Sequence, residues 1–344
     1  MNAFTNYLEK LGSNFLVASM VPSLTFVVAS ILVFDPTLTI LAAFKDIEEI
    51  PRLIILGLLV SIFTVIIGFT LTALNTFILK MFEGYVKPFP VYIAYYLSQK
   101  KHLRKARALM EQRDLLESRI RELKKQVKHD PRWQSELDEL SEQHYMVAAE
   151  YGLTYPEDLK DVMPSRFGNT LKAAENYPGE RYGFDGVHIW PRLVDVIPTE
   201  YKLSIDSTRN ELSFLVNMSI LSATFALLCV LAFFLSMGGV SGAGTNPKVF
   251  LDFLPVIGKF ILLAGVGITC CYFFYNASIF SVGSFGLMIR SSFDLFRLDL
   301  LKKLGVERPK DSIQEFETWN SLNELIVLGR HSLSFRKLDY REKE

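Results

Sequence analysis

The chain has 344 residues, half of them hydrophobic, and its 37 Lys plus Arg are balanced by 37 Asp plus Glu, so the formal net charge is zero. That balance favours neither nucleic acid nor an acidic substrate as partner. The three cysteines, Cys229, Cys270 and Cys271, lie inside apolar runs, and the five histidines stand singly. No disulfide framework, zinc spacing or HExxH pair can be drawn from them, and nothing points to a bound cofactor.

The first apolar run, "NFLVASMVPSLTFVVASILVF" over 14–34, predicts a transmembrane helix. It is long and has no A-x-A-like exit, so it reads as a retained signal anchor. In "DPTLTILAAFKDIEEIP", Asp35 reads as an N-cap and Pro36 as a first-turn residue of a helix, and Ile40, Leu41, Phe44 and Ile47 share one helical face. A short amphipathic helix on the outer surface is expected there. The second span covers about 53–79, the third about 212–237 and the fourth about 260–289. Each is uncharged across the ~20 residues that carry a helix through a hydrocarbon core. The outer link that starts at Gly238, "GGVSGAGTNPKVF", reads as a Gly/Ser loop.

Orientation follows from basic residues near the span ends. Lys10, then Lys80, Lys87, Lys100, Lys101, Lys202 and Arg209, then Arg290, Arg297, Lys302 and Lys303 fall on one side. Only Lys45, Arg52, Lys248 and Lys259 fall on the other. Both termini and the large central loop are therefore expected in the cytoplasm. No Asp, Glu, Lys, Arg or His lies in the middle of a span, which argues against a pump or a coupled carrier. Asn217 and Asn276 want interhelical hydrogen bonds, and the pairs Gly267/Cys271 and Ala277/Ser281 permit close helix packing.

The central loop opens with Tyr85, Tyr92, Tyr95 and Tyr96, suited to a membrane interface, beside Lys87. A helix follows from about Leu97 to Lys128, with Leu109, Leu116 and Leu123 on one heptad position. Ala106, Arg113, Ile120 and Val127 take the companion position. After Asp130-Pro131, Trp133, Leu137, Leu140, His144 and Val147 continue a 4-3-4-3 stripe. The first helix is mainly basic and the second mainly acidic, which favours a coiled-coil-like hairpin over 97–152. Lys100, Lys101, Arg104, Lys105 and Arg107 cluster near the membrane end, and anionic lipid headgroups are their expected partner. No nucleic-acid fold signature accompanies them.

The stretch "RYGFDGVHIWPRLVDVIP" belongs to a proline-punctuated cap over 153–198. "PSRFGNTLKAAENY" reads as a short helix, "YPGERYGFDG" as turns with Gly179, Gly183 and Gly186 free for positive φ, and "HIWPRLVDVI" as a short strand or helical turn. The cap is read as a small core of Tyr182, Phe184, Ile189 and Trp190, its loops tied by Arg–Asp pairs. Arg181, Tyr182, Asp185, Trp190 and Arg192 are the candidate docking residues, since Trp, Tyr and Arg anchor interfaces. Asp185 and His188, three apart, could form a general-base pair, but no nucleophile motif, phosphate loop or metal set accompanies them, and the chain is not read as an enzyme.

In the tail, Phe285, Ile289, Phe293, Phe296, Leu300 and Leu304 predict that the fourth span continues as an amphipathic helix ended by Gly305. A further helix, capped by Asp311 or Ser312 and stopped by Gly329, places Ile313, Phe316, Leu322, Leu325 and Ile326 on one side. The whole reads as an all-α membrane protein with four transmembrane helices and a helical cytoplasmic domain. Its parts are a first helix pair (1–80), the hairpin and cap (81–211), a second helix pair (212–289) and C-terminal cytoplasmic helices (290–344). The expected function is a membrane anchor or scaffold for a cytoplasmic partner or a homo-oligomer. The alternative is a subunit of an oligomeric channel or membrane-permeabilising effector.

Overall fold

The computed structural model describes residues 16–35, 49–86, 92–242 and 247–329. The expected outer amphipathic helix from Pro36 onward, Lys10, Lys45, Lys87 and the final residues 330–344 lie outside them. The described residues are almost wholly helical and contain no strand. After a π-turn over Leu16–Met20 come α1 (Val21–Phe34), α2 (Glu49–Glu83), α3 (Tyr92–Val127), α4 (Gln134–Thr154), α5 (Arg166–Tyr182), α6 (Gly186–Leu193), α7 (Thr199–Gly242), α8 (Pro247–Lys303) and α9 (Ser312–Leu328). Four segments are long and apolar enough to cross a membrane: Leu16–Phe34, Ile50–Glu83, Thr199–Met237 and Ile257–Lys303. Along the uncharged stretch inside each, the helix bonds its own backbone groups, which hydrocarbon demands.

The chain divides into two compact units, one from residues 1–79 and 207–281, the other from 80–206 and 282–344. In the first, polar contacts between helices are few and specific. Asn217 Nδ2 donates to Ala18 O at 2.7 Å, taking up a carbonyl in the π-turn. Ser19 Oγ and Thr72 Oγ1 are bonded at 3.0 Å, and Ser219 Oγ donates to Cys271 O at 3.1 Å. A Cβ on Gly267 would come within 2.9 Å of Ala226 Cβ, so this small residue serves packing between α7 and α8 of one chain. Phe34 stacks on Phe260 with ring centroids 6.0 Å apart. Large apolar side chains such as Leu58, Phe69 and Phe77 face outward.

Several local expectations are corrected. Among the described residues Asn276 makes no interhelical bond of the kind expected; its Nδ2 donates to Tyr272 O, one turn back on α8. Helix α7 runs to Gly242, so the outer link is helical over its first residues rather than a loop from Gly238. The predicted turns around Pro178 are helix: α5 continues through Pro178 and Gly179 to Tyr182. Pro178 costs α5 a backbone bond, but its ring is buried, and Gly186 approaches so closely that a Cβ there would lie 2.6 Å from Pro178 Cγ. Of the three glycines, Gly183 alone has positive φ, at 85°, where it ends α5. "HIWPRL" is helical, forming most of α6.

The second unit has conventional cores. The largest joins Phe184, Ile189 and Leu193 of the cap with Phe293, Leu300 and Leu301 of α8 and Trp319 and Leu322 of α9. Trp319 is 0% exposed, its ring 4.5 Å from that of Phe184. The tail helix therefore buries a face centred on Trp319, whereas Ile313 is exposed. Helices α3 and α4 run side by side in opposite directions. Ala106 packs with Tyr151, Tyr155 and Val162, and Ile120 and Leu123 pack with Leu137. Trp133, expected on that stripe, is exposed because it closes a 3-10 turn begun by Asp130 and Pro131. Arg113, the charge among the heptad positions, pairs with Glu157 and lies 5.2 Å from the Tyr151 ring centre.

The cap is fastened at the start of α5. Ser165 Oγ accepts from Gly168 N at 2.8 Å and donates to Phe82 O at 2.6 Å. A Cβ on Gly168 would sit 2.1 Å from Glu83 O, so only glycine allows this approach.

Candidate functional site

The five candidate docking residues do not form one free surface. Tyr182 OH donates to Asp294 Oδ1 at 2.5 Å, joined there by Tyr177 OH at 2.9 Å. Burial, then the bond to Asp294, pushes the Tyr182 phenol up. The Arg297 guanidinium lies 4.2 Å from the Tyr182 ring centre, and its Nε donates to Glu315 Oε1 at 2.7 Å. Tyr182 is thus the hub of a latch between α5, α8 and α9.

Asp185 caps α6, accepting from Val187 N at 2.8 Å and His188 N at 3.0 Å. His188 Nδ1 stands 3.0 Å from its other oxygen. Burial raises the Asp185 carboxyl, but the hydrogen bonds from His188 outweigh it and hold the group below its ordinary value. The Asp185–His188 pair therefore exists as a helix cap. Trp190 is half-buried against Phe293, and Arg192 Nη1 donates to His188 O at 2.8 Å. The expected Arg–Asp ties are replaced: Asp195 pairs with Lys303. Of the five, Arg181 and Arg192 remain exposed. Among the described residues no group of three or more His, Cys, Asp or Glu is placed to hold a metal ion.

The basic stretch of α3 is different. Lys100, Lys101, Arg104, Lys105 and Arg107 are all exposed, and Lys105 pairs with Glu150 at 2.8 Å. Lys100 Nζ sits 4.5 Å over the Tyr96 ring. Across from them runs the connection between α4 and α5, strapped to α3 by three contacts. Ser98 Oγ donates to Pro164 O at 2.7 Å, Gln99 Nε2 donates to Val162 O at 2.9 Å, and His102 Nδ1 meets Tyr155 OH at 3.0 Å. The strap brings Lys160 opposite Lys100 and Arg107 across a groove of about 460 Å³. Its other lining residues are Tyr96, Gln99, Leu103, Leu159 and Val162, with no carboxylate among them. Burial, then Lys101, Lys105 and Arg166, pushes the neighbouring His102 imidazole below its ordinary value, as expected in a positive local field. Lys160 carries no sequence signal of this role; only the fold of the strap reveals it.

A second cleft, of about 500 Å³, lies between α5, α6 and the turn at 157–158. Glu157, Asp158, Glu175, Glu180 and Asp185 make it acidic, with Lys172 as its one basic lining residue. Burial raises the Glu175 carboxyl although Lys172 stands 3.6 Å away. Most of these carboxylates are engaged: Glu157 with Arg113, Glu180 with the Glu157 backbone N–H at 3.2 Å, and Asp185 with its own helix.

Comparison of the chain with known protein families, with curated proteins and with solved structures finds no match in any of the three.

Proposed function

We propose that the chain is a multi-pass membrane anchor or scaffold that presents a cytoplasmic helical body to a protein partner or to a second copy of itself. The observation that carries this reading is the body itself. Two chain segments far apart in sequence, the central loop and the tail, share one apolar core around Phe184, Phe293 and Trp319. The four apolar segments hold no Asp, Glu, Lys, Arg or His at mid-span, where a coupled carrier binds and releases charge. The coiled-coil-like hairpin of α3 and α4 is the presenting arm. Its first helix has 36 residues, roughly 54 Å at 1.5 Å per residue. Leu115, Tyr145 and Met146 are exposed on it, 64% or more in each case, and offer an apolar contact. The cytoplasmic side is the one that collects the basic residues flanking the spans.

Stoichiometry in detergent, combined with crosslinking in intact cells, tests this reading. A monomer or dimer crosslinked through α3–α4 to a partner supports it. A ring of four or more copies that conducts in a planar bilayer replaces it with the channel reading. A chain that crosslinks to nothing, and whose deletion displaces nothing from the membrane, contradicts both.

A further inference from the structure

We propose that the groove between α3 and the 159–162 turn is a headgroup site for an anionic phospholipid. Lys100, Arg107 and Lys160 converge on it, and among the described residues no carboxylate lines it. Three acids close to these cations have partners of their own: Glu150 pairs with Lys105, Asp158 accepts from the Lys160 backbone N–H at 2.9 Å, and Asp161 accepts from Asn176 Nδ2 at 2.7 Å. The convergence is built into the fold, because Ser98 and Gln99 clamp the strap that carries Lys160 onto the helix that carries Lys100 and Arg107.

Helix α3 states which kind of anion fits. Ile93, Leu97, Lys100, Arg104 and Arg107 are spaced 4, 3, 4 and 3 along the chain, so they share one face. That face starts apolar and exposed, Ile93 at 67% and Leu97 at 59%, with Tyr92 and Tyr96 beside them also exposed. It turns basic within one turn. An exposed apolar stretch running directly into exposed cations matches a molecule with a hydrocarbon tail and a negative head, and a free phosphate ester would have no use for the first half. Tyr96, with its ring under Lys100 Nζ, stands at the changeover, as amphipathic aromatic rings do at a headgroup boundary.

The inference deepens the proposed function, since it rests on the chain being anchored in a membrane with the first turns of α3 at its surface, and its test is separable from the sidedness of the body. Full-length protein in neutral detergent is exposed to equimolar phosphatidylglycerol and phosphatidylcholine, and retained lipid is weighed by native mass spectrometry. Phosphatidylglycerol is expected to be retained preferentially. Lys100→Gln, Arg107→Gln and Lys160→Gln should each weaken that retention about fivefold, and the triple variant by about two orders of magnitude. Lys160→Arg should preserve it, as should Arg119→Gln with Arg121→Gln, further along α3 and outside the groove. Undiminished retention by the triple variant overturns the site. Equal loss in the Arg119/Arg121 control reduces it to diffuse charge attraction and overturns it as well. Competition by glycerol 3-phosphate as strong as that by the intact lipid would make the ligand a soluble phosphate ester and reject the lipid assignment.

Discussion

The two units solve the same packing problem with opposite materials. In the unit of apolar helices, large side chains such as Phe69 and Phe77 are exposed, and beside close packing such as Gly267 on Ala226 single polar bonds join the helices: Asn217 to Ala18, Ser219 to Cys271, Ser19 to Thr72. In the other unit, Trp319, Phe184 and Phe293 are buried, and most ion pairs lie at the surface. The contrast is the one expected between helices in lipid and a helical body in water. Between apolar helices in lipid there is no hydrophobic gain, so close approach and single hydrogen bonds decide the pairing. In water the apolar core decides it, and exposed pairs such as Lys105–Glu150 contribute only ~0–1 kcal/mol.

If that contrast is right, single substitutions should cost very different amounts in the two units. Trp319→Ala should be the most damaging, at about 3–5 kcal/mol, because it empties the centre of the core shared by the cap and the tail. Trp319→Phe should cost far less, since the buried indole Nε1 has no hydrogen-bond partner to lose among the described residues. Thermal unfolding of the detergent-solubilised chain, followed by circular dichroism, ranks the two. Gly168→Ala comes next, at about 1–3 kcal/mol, because the added methyl group must displace the Glu83 carbonyl. Limited proteolysis should then open the connection between α4 and α5. In the apolar unit, Asn217→Leu should cost only about 0.6–2 kcal/mol, measured by unfolding in mixed micelles. A loss as large as that of Trp319→Ala would erase the contrast.

The smallest effect is a pH dependence. The folded His102 has its pKa lowered, by burial first and by Lys101, Lys105 and Arg166 after it. The unfolded chain therefore binds the proton more readily than the folded one. Stability is intact above the ordinary histidine value of about 6.5 and is lost as pH falls from there toward the lower folded value. His102→Gln should flatten that part of the stability curve. A variant that keeps the full wild-type acid sensitivity would assign it to other groups.

What could be read from sequence follows from how strongly each environment constrains it. Four long apolar helices were legible because hydrocarbon tolerates no charge over some twenty residues. The burial of Ala106, Ile120 and Leu123 follows a heptad spacing that any helix face must obey. The cap was not legible in the same way. Pro178 and Gly179 are turn residues by local preference, yet they lie within α5, where Gly186 packs against the buried Pro178 ring. Tyr182 and Asp185 looked like free anchors, yet Tyr182 is taken by Asp294, 112 residues away, and Asp185 by the first turn of α6, a local cap that shows only once the segment after it is helical. The tail helix was placed from its caps, but Trp319 was missed as its centre because the face was drawn through Ile313 and Phe316. The cationic groove joins residues about sixty apart, Lys100 and Lys160, through a strap without periodicity. The basic half was visible in the sequence; the closing half required the fold.

The central claim, that four helices cross the bilayer and the helical body stands in the cytoplasm, is tested most directly by labelling. Cys229, Cys270 and Cys271 are replaced by Ala, Ser135→Cys is introduced at an exposed position of α4, and a membrane-impermeant maleimide is applied to sealed right-side-out vesicles. Labelling only after the vesicles are opened is the expected result. Labelling of sealed vesicles to the same extent would put the body on the outer face and contradict the account.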